Sequence, residues 1–323
     1  MLQAQNNKVL YNWYYFGIVK GSKRNHMAER PTEARHPQAA GIHALSGAEV
    51  LSRLHGAQMQ ALAAVRPAFA AIEAAAEAGA AALRGGGRMA YAGAGSSGLM
   101  ALADCLELAG TFGISPKSTP MLFAGGAAAL LHMTGGVEDD PALAEADMAR
   151  AGLVAGDVVL CLSASGTTPY TMAVAGLARQ RGVTVVGMAN VPDAPLLRAA
   201  DIAVLLDTGP EMVAGSTRMG AATAQKVALN MLSVLVGIRL GHVHDGFMVN
   251  LVADNAKLTD RAARIVAGLS GQEMAVAHAA LQHSGGAVKP AVLIAAGATP
   301  ARAEMLLQDS GGVIGPALAA LRG

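Results

Sequence analysis

Three hydroxyl-rich stretches and two glutamates are the residues of this chain equipped for chemistry. The first stretch is "YAGAGSSG", from Tyr91 to Gly98, holding Gly95, Ser96 and Ser97. The second is "CLSASGTTPY", from Cys161 to Tyr170, holding Ser163, Ser165, Thr167 and Thr168; the third holds Ser216, Thr217 and Arg218. The first two follow an apolar run and precede a helical pattern, and the third opens a long helical pattern. A helix start offers unpaired N–H groups and a positive dipole, and hydroxyls add neutral donors, so such places suit a phosphorylated ligand.

Glu107 lies in the last turn of the helix that the first stretch opens, where its charge opposes the dipole by roughly 0.3–1 kcal/mol. Its neighbours Leu106 and Leu108 predict a dry setting, which raises a carboxyl pKa and keeps a proton available. Glu138 sits in "TGGVEDDP". There Asp140 is explained as a helix N-cap before Pro141 and Asp139 as a solvated acid, whereas Glu138 has no evident structural task. No His or Cys joins these acids, so no metal is assigned. His242 and His244 lack a third ligand nearby, and a catalytic zinc wants three. His132 is read either as lining a pocket or as a packed core residue.

Gly93, Gly95 and Gly98 spell GxGxxG, yet the second strand ends "LFAGG" without the acid that would take a ribose hydroxyl. The motif therefore fails as a dinucleotide fingerprint. The positioning elements follow from short apolar runs alternating with helical periodicity. Strands are expected at 89–92, 121–124, 158–162, 183–188 and 202–206. Helices are expected over 46–83, 98–108, 127–133, 141–151 and 217–240, and only helices after 254. Repeated strand–helix units imply an α/β chain with a mainly parallel sheet, whose ligands bind at the carboxyl ends of the strands near a reversal of strand order.

The chain has 323 residues, 53% hydrophobic and 15% charged, with a net charge of +1. That balance argues for neither nucleic acid nor an acidic membrane surface as partner. No run of ~18 consecutive apolar residues occurs, and the two cysteines imply a reduced, cytoplasmic setting. The first 26 residues hold five of the eleven aromatics and no acid; they read as a tag or an over-called start, with Met27 as the natural beginning. The expected organisation is this leader (1–26), an N-terminal helical segment (27–84), a sugar-phosphate-binding domain (85–243) and a helical C-terminal region (244–323).

"LSASGTT" resembles the SxSGxT signature of the sugar isomerase (SIS) fold. More narrowly, "GPEMVAGSTRMGAATAQKVALNMLS", "NLVADNAKLTDRAARIV" and "TEARHPQAAGIHALS" resemble N-acetylmuramic acid 6-phosphate etherases, from Thr32 to the C-terminus. The resemblance implies an SIS-type three-layer fold with a mainly parallel sheet flanked by helices. It also implies cleavage of the D-lactyl ether of N-acetylmuramic acid 6-phosphate by elimination and hydration, without metal or cofactor. Glu107 aligns with the family's proton donor, Glu138 with its second catalytic glutamate, and Glu211 with a glutamate taken as an acceptor for a substrate hydroxyl. The SxSGxT signature implies that Ser163, Ser165 and Thr168 contact the sugar phosphate, with Thr167 counted beside them as a hydroxyl of the same loop. A homodimer with sites near the subunit boundary is implied too.

Three family cations are replaced, by Leu99, Thr167 and Gly220, which puts the anion contacts in question. The competing readings are a non-catalytic sugar-phosphate sensor, favoured by the lost cations, and an aldose–ketose isomerase, disfavoured by the "GPEMVAGSTRM" run.

Overall fold

In the computed structural model, residues 31–253 and 255–323 are described; the expected leader lies outside them. Helix α1 (Gly47–Ala63) starts at Ser46, whose hydroxyl accepts from the Glu49 N–H while the Glu49 carboxylate accepts from the Ser46 N–H. The periodic stretch expected to be one helix is broken by a 3₁₀ turn at Arg66–Ala68, because Pro67 cannot donate, and resumes as α2 (Phe69–Arg84).

Then come β1 (Met89–Gly93), α3 (Gly95–Phe112), β2 (Met121–Phe123), α4 (Gly126–Leu131) and α5 (Pro141–Ala151). The sheet continues with β3 (Val158–Leu162), α6 (Pro169–Gln180), β4 (Thr184–Ala189), α7 (Pro195–Ala199) and β5 (Ile202–Leu205). All pairings are parallel and the strand order is β2-β1-β3-β4-β5. The order therefore reverses between β1 and β3, whose following loops are the first two hydroxyl-rich stretches.

Alternation along the strands sets the layers. Met89, Tyr91, Leu160 and Val186 point to one face, packed with α2, α3 and the long α8 (Gly220–Arg239). Ala90, Ala92, Val159 and Cys161 point to the other, packed with α5, α6 and α7. Helix α8 is long and apolar enough to cross a membrane, yet more than half of it is buried inside this fold. Its polar side chains Asn230 and Ser233 also face inward. Both donate to Asp104 Oδ1, at 2.8 and 2.9 Å, and the buried Tyr91 hydroxyl donates to Asp104 Oδ2 at 2.8 Å.

Beyond α8, a two-residue turn at Asp245-Gly246 joins β6 (Val243–His244) to β7 (Phe247–Met248), an antiparallel pair that periodicity did not reveal. Five helices follow: α9 (Ala256–Ser270), α10 (Met274–His283), α11 (Val288–Ala295), α12 (Pro300–Asp309) and α13 (Ile314–Arg322). They share a core of their own, as expected of a helical C-terminal region.

Asp104 ties α3 to β1 and α8 at once, and its removal strands three donors in the interior. Asp104→Ala is expected to lower stability by roughly 3 kcal/mol in urea unfolding, and Asp104→Asn by about half as much. Equal stability of the alanine variant and the parent would show that the three donors find other partners.

Candidate active site

The glycines of the first loop bring β1 and α3 together. A Cβ on Gly98 would lie 2.9 Å from the Gly93 carbonyl and 2.7 Å from the Phe123 ring. Helix α3 can therefore begin almost on the strand end. Gly95, at φ +53°, lies directly against the Glu138 carboxylate, and any Cβ there would collide with Oε1. Glu138 itself closes a 3₁₀ turn, Gly135–Val137, its N–H donating to the Gly135 carbonyl. Its own carbonyl accepts the Tyr170 N–H in the first turn of α6. One backbone bond thus ties Glu138 to its own turn and the other to the start of α6, while its carboxylate packs against the start of α3. Burial, and then the Asp139 charge, hold its carboxyl above the usual carboxylate range.

The second loop is organised around Ser163, which is buried. Its hydroxyl accepts from the Gly166 N–H (3.0 Å) and pairs with the Thr168 hydroxyl (2.8 Å), while Ser165 and Thr167 pair at 2.9 Å. A cleft of about 250 Å³ opens between these loops. Gly95, Ser96, Ser97, Glu138, Ser165, Thr168 and Thr217 line it, together with Thr32, Glu33 and Met133. Among the described residues lining it, none is Lys or Arg. Ser163 supports the cleft from behind by orienting Thr168, and Thr167 and Ser216 stand outside the lining.

Two expected site residues are elsewhere. Glu211 is buried, and its carboxylate oxygens accept from the Gly220 and Ala221 N–H groups, both at 2.9 Å. It caps the start of α8 and has no face toward the cleft, which corrects its expected role as an acceptor for a substrate hydroxyl. Gly220 fits the same arrangement: a Cβ there would lie 3.0 Å from the Ala61 Cβ and 3.1 Å from Glu211 Oε2. The place where the family carries a lysine is filled in this chain by α1 and by the cap.

Glu107 is twelve residues along α3 from Gly95, about 18 Å by helical rise. It is exposed, and the neighbouring Leu106 is 68% exposed, so the dry setting expected around Glu107 is absent within one chain. Only Leu108 turns inward, into the core behind the helix.

The histidines do not join the site. His132 is exposed beside the acid loop, neither lining the cleft nor packed in the core. His244 packs against Gly315. His242 has a buried Nδ1 without a partner among the described residues, and burial followed by the Lys289 charge pushes its pKa down to about 4. No group of three His, Cys, Asp or Glu suited to a metal occurs among the described residues.

Sequence reasoning gave no role to Thr32 or Glu33. Nothing in their spacing marks them, because they reach the cleft from a segment without regular secondary structure before α1.

The SIS domain family model matches residues 57–190. The chain is 43% identical to the N-acetylmuramic acid 6-phosphate etherase of Deinococcus radiodurans over 82% of its own length and 87% of the relative's. Against the enzyme of the same name from Serratia proteamaculans it is 41% identical, over 81% and 89%. Against that from Pectobacterium atrosepticum it is 39% identical, over 81% and 87%.

With both carboxylate oxygens engaged by backbone N–H groups, Glu211 should act on stability. Glu211→Ala is expected to lose about 2 kcal/mol in chemical unfolding. Unchanged stability would free the carboxylate for another task.

Proposed function

The chain belongs to the N-acetylmuramic acid 6-phosphate etherase family, and from that premise we propose the chemistry of its cleft. The substrate is N-acetylmuramic acid 6-phosphate, and the products are N-acetylglucosamine 6-phosphate and D-lactate. The observation that carries this reading is Glu138. It is a half-buried carboxylate, tied by a backbone bond to the start of α6 and packed against Gly95 at the start of α3, with its pKa raised and with hydroxyl side chains lining the same cleft.

The phosphate sits on the Ser163–Thr168 loop, where the Ser165 and Thr168 hydroxyls offer neutral donors. With no cation in the lining, the positive ends of α3 and α6 supply the compensating field. In the open-chain sugar the C2 proton is acidic because C1 is an aldehyde. Glu138 takes that proton, the C3–O bond breaks, and an acid protonates the departing lactate oxygen. Water then adds across the C2–C3 double bond: its hydroxyl goes to C3, its second proton returns to the acid's conjugate base, and Glu138 gives its proton back to C2.

Glu107 cannot be that acid for the cleft of its own chain, given the separation along α3. We place it in a homodimer, as the partner subunit's Glu107 completing the cleft that holds Glu138. Exposed apolar side chains support such a contact: Phe69 on α2 shares a groove with Met231 and Val234 on α8, and Ile238 on α8 and Leu106 on α3 are exposed as well. Two buried, unpaired cysteines are in keeping with a cytoplasmic enzyme.

The direct test is D-lactate release from N-acetylmuramic acid 6-phosphate. The parent should release it, while Glu138→Gln and Glu107→Gln, folded as the parent, should each lose at least about 10²-fold in kcat. Ligand binding without release by the parent would turn the reading to a sensor.

The shared site has a further consequence. Mixing the two inactive variants under subunit exchange should restore about a quarter of the parental activity, since one site of each mixed dimer regains both glutamates. Separate sites within each chain would restore none.

The pH profile follows from the sign of the Glu138 shift. A base must be ionised, so activity is lost as pH falls through its raised pKa, and the acid limb of kcat/KM should lie above the ordinary carboxylate range. Asp139→Asn removes the second cause and leaves burial, so the limb should move to lower pH. An unmoved limb would assign it to another group.

A further inference from the structure

Glu33 has no part in the elimination chemistry, yet it faces the same cleft as Glu138. Its position is set by the third hydroxyl loop. The Gly215 N–H donates to the Thr32 carbonyl at 3.0 Å, and Thr32 is itself buried. The Glu33 carboxylate lies over Gly215, at φ +76°, so closely that a Cβ there would come within 2.7 Å of Oε2. The backbone conformation thus requires glycine at 215, and the missing Cβ leaves room for the Glu33 carboxylate above it.

No hydrogen bond or ion pair from a described residue reaches the Glu33 carboxylate, and no Lys or Arg lines the cleft with it. Its lone pairs are left for water or for a ligand. Like charge keeps the phosphate away from it, toward the Ser165–Thr168 side. The ligand group that meets Glu33 must therefore be a neutral donor.

From this placement we propose that Glu33 is a specificity-determining acceptor for the bound amino sugar. Its carboxylate takes a hydrogen bond from a sugar hydroxyl or from the acetamido N–H. The assignment rests on the sugar-phosphate reading of the cleft. It makes the segment before α1 a wall of the site, and it makes Gly215 the residue that admits that wall. A carboxylate so placed rewards a ligand with a donor at that point and leaves one without it facing an unpaired charge.

Calorimetric binding of N-acetylglucosamine 6-phosphate and of glucose 6-phosphate to the full chain tests this without needing turnover. Glu33→Ala should weaken N-acetylglucosamine 6-phosphate binding about tenfold. Glu33→Gln, which keeps a carbonyl acceptor, should recover most of the loss. Thermal unfolding of both should match the parent, because Glu33 is exposed. A penalty that vanishes with glucose 6-phosphate identifies the acetamido N–H as the donor, and one that persists identifies a hydroxyl, the C2 hydroxyl that replaces the acetamido group included. In D-lactate release, KM should rise by a similar factor with kcat nearly unchanged.

Equal affinities of parent and Glu33→Ala, or a fall in kcat at constant KM, would overturn the assignment while leaving the etherase reading intact wherever the parent releases D-lactate. A parent that binds neither sugar phosphate and releases no D-lactate would overturn both.

Discussion

The contact between β1 and α3 is the constraint on which the rest of the site depends. Gly93 and Gly98 meet backbone to backbone, and the Phe123 ring closes over Gly98 from the neighbouring strand. Without Cβ atoms at these positions the helix starts at the strand end, its axis close to the sheet. The middle glycine of the motif, Gly95, then yields its space to a carboxylate. A GxGxxG turn in a dinucleotide site uses the same freedom to admit a pyrophosphate. Here the group that comes close is a side chain of the same protein, which is why the motif coexists with serines and without a ribose-binding acid.

That arrangement has an electrostatic consequence. An anion beside the start of α3 is favoured by the dipole, but Glu138 is also desolvated and has Asp139 as a neighbour. Burial and like charge raise its pKa, and the helix end keeps its ionised form accessible. A carboxyl group poised in this way can take a proton and return it, as elimination followed by hydration requires. Glu211 shows the contrast: a carboxylate at the start of α8 with both oxygens engaged by N–H groups is a cap. The two glutamates look alike in sequence and differ in what their oxygens have left to do.

Much of the frame was legible because its signals are local. The strands Val158–Leu162 and Ile202–Leu205 are continuous apolar runs, and the helix breaks at Gly271, Gly285-Gly286, Pro300 and Gly311-Gly312 are where the chain turns. The cap at Asp140 was readable too, its side chain accepting from Ala142 N–H at 2.9 Å. What failed to show was long-range. Leu106 and Leu108 flank Glu107 in sequence, but on a helix they point to different sides, so adjacency said nothing of its burial. Glu33 reaches the cleft only because Thr32 bonds to Gly215 far along the chain. The Glu211 cap likewise depends on a turn between β5 and α8 with no periodicity to read.

The rigidity of α3 limits how Glu107 and Glu138 could cooperate in the proposed chemistry. Asp104, bonded to Tyr91, Asn230 and Ser233, clamps the middle of the helix to the sheet and to α8. Gly93 and Gly98 clamp its start. A helix held at both places cannot bend its far end back over its own cleft, and three full turns lie between Gly95 and Glu107. Glu107 is thus displayed outward, beside the exposed Leu106. In the dimer proposed above, the same anchoring that keeps it from its own cleft would hold it at a fixed height for a neighbour. A subunit contact of that kind would do what no loop of one chain can do. It would bring a rigidly mounted acid to a rigidly mounted base, with the substrate between them.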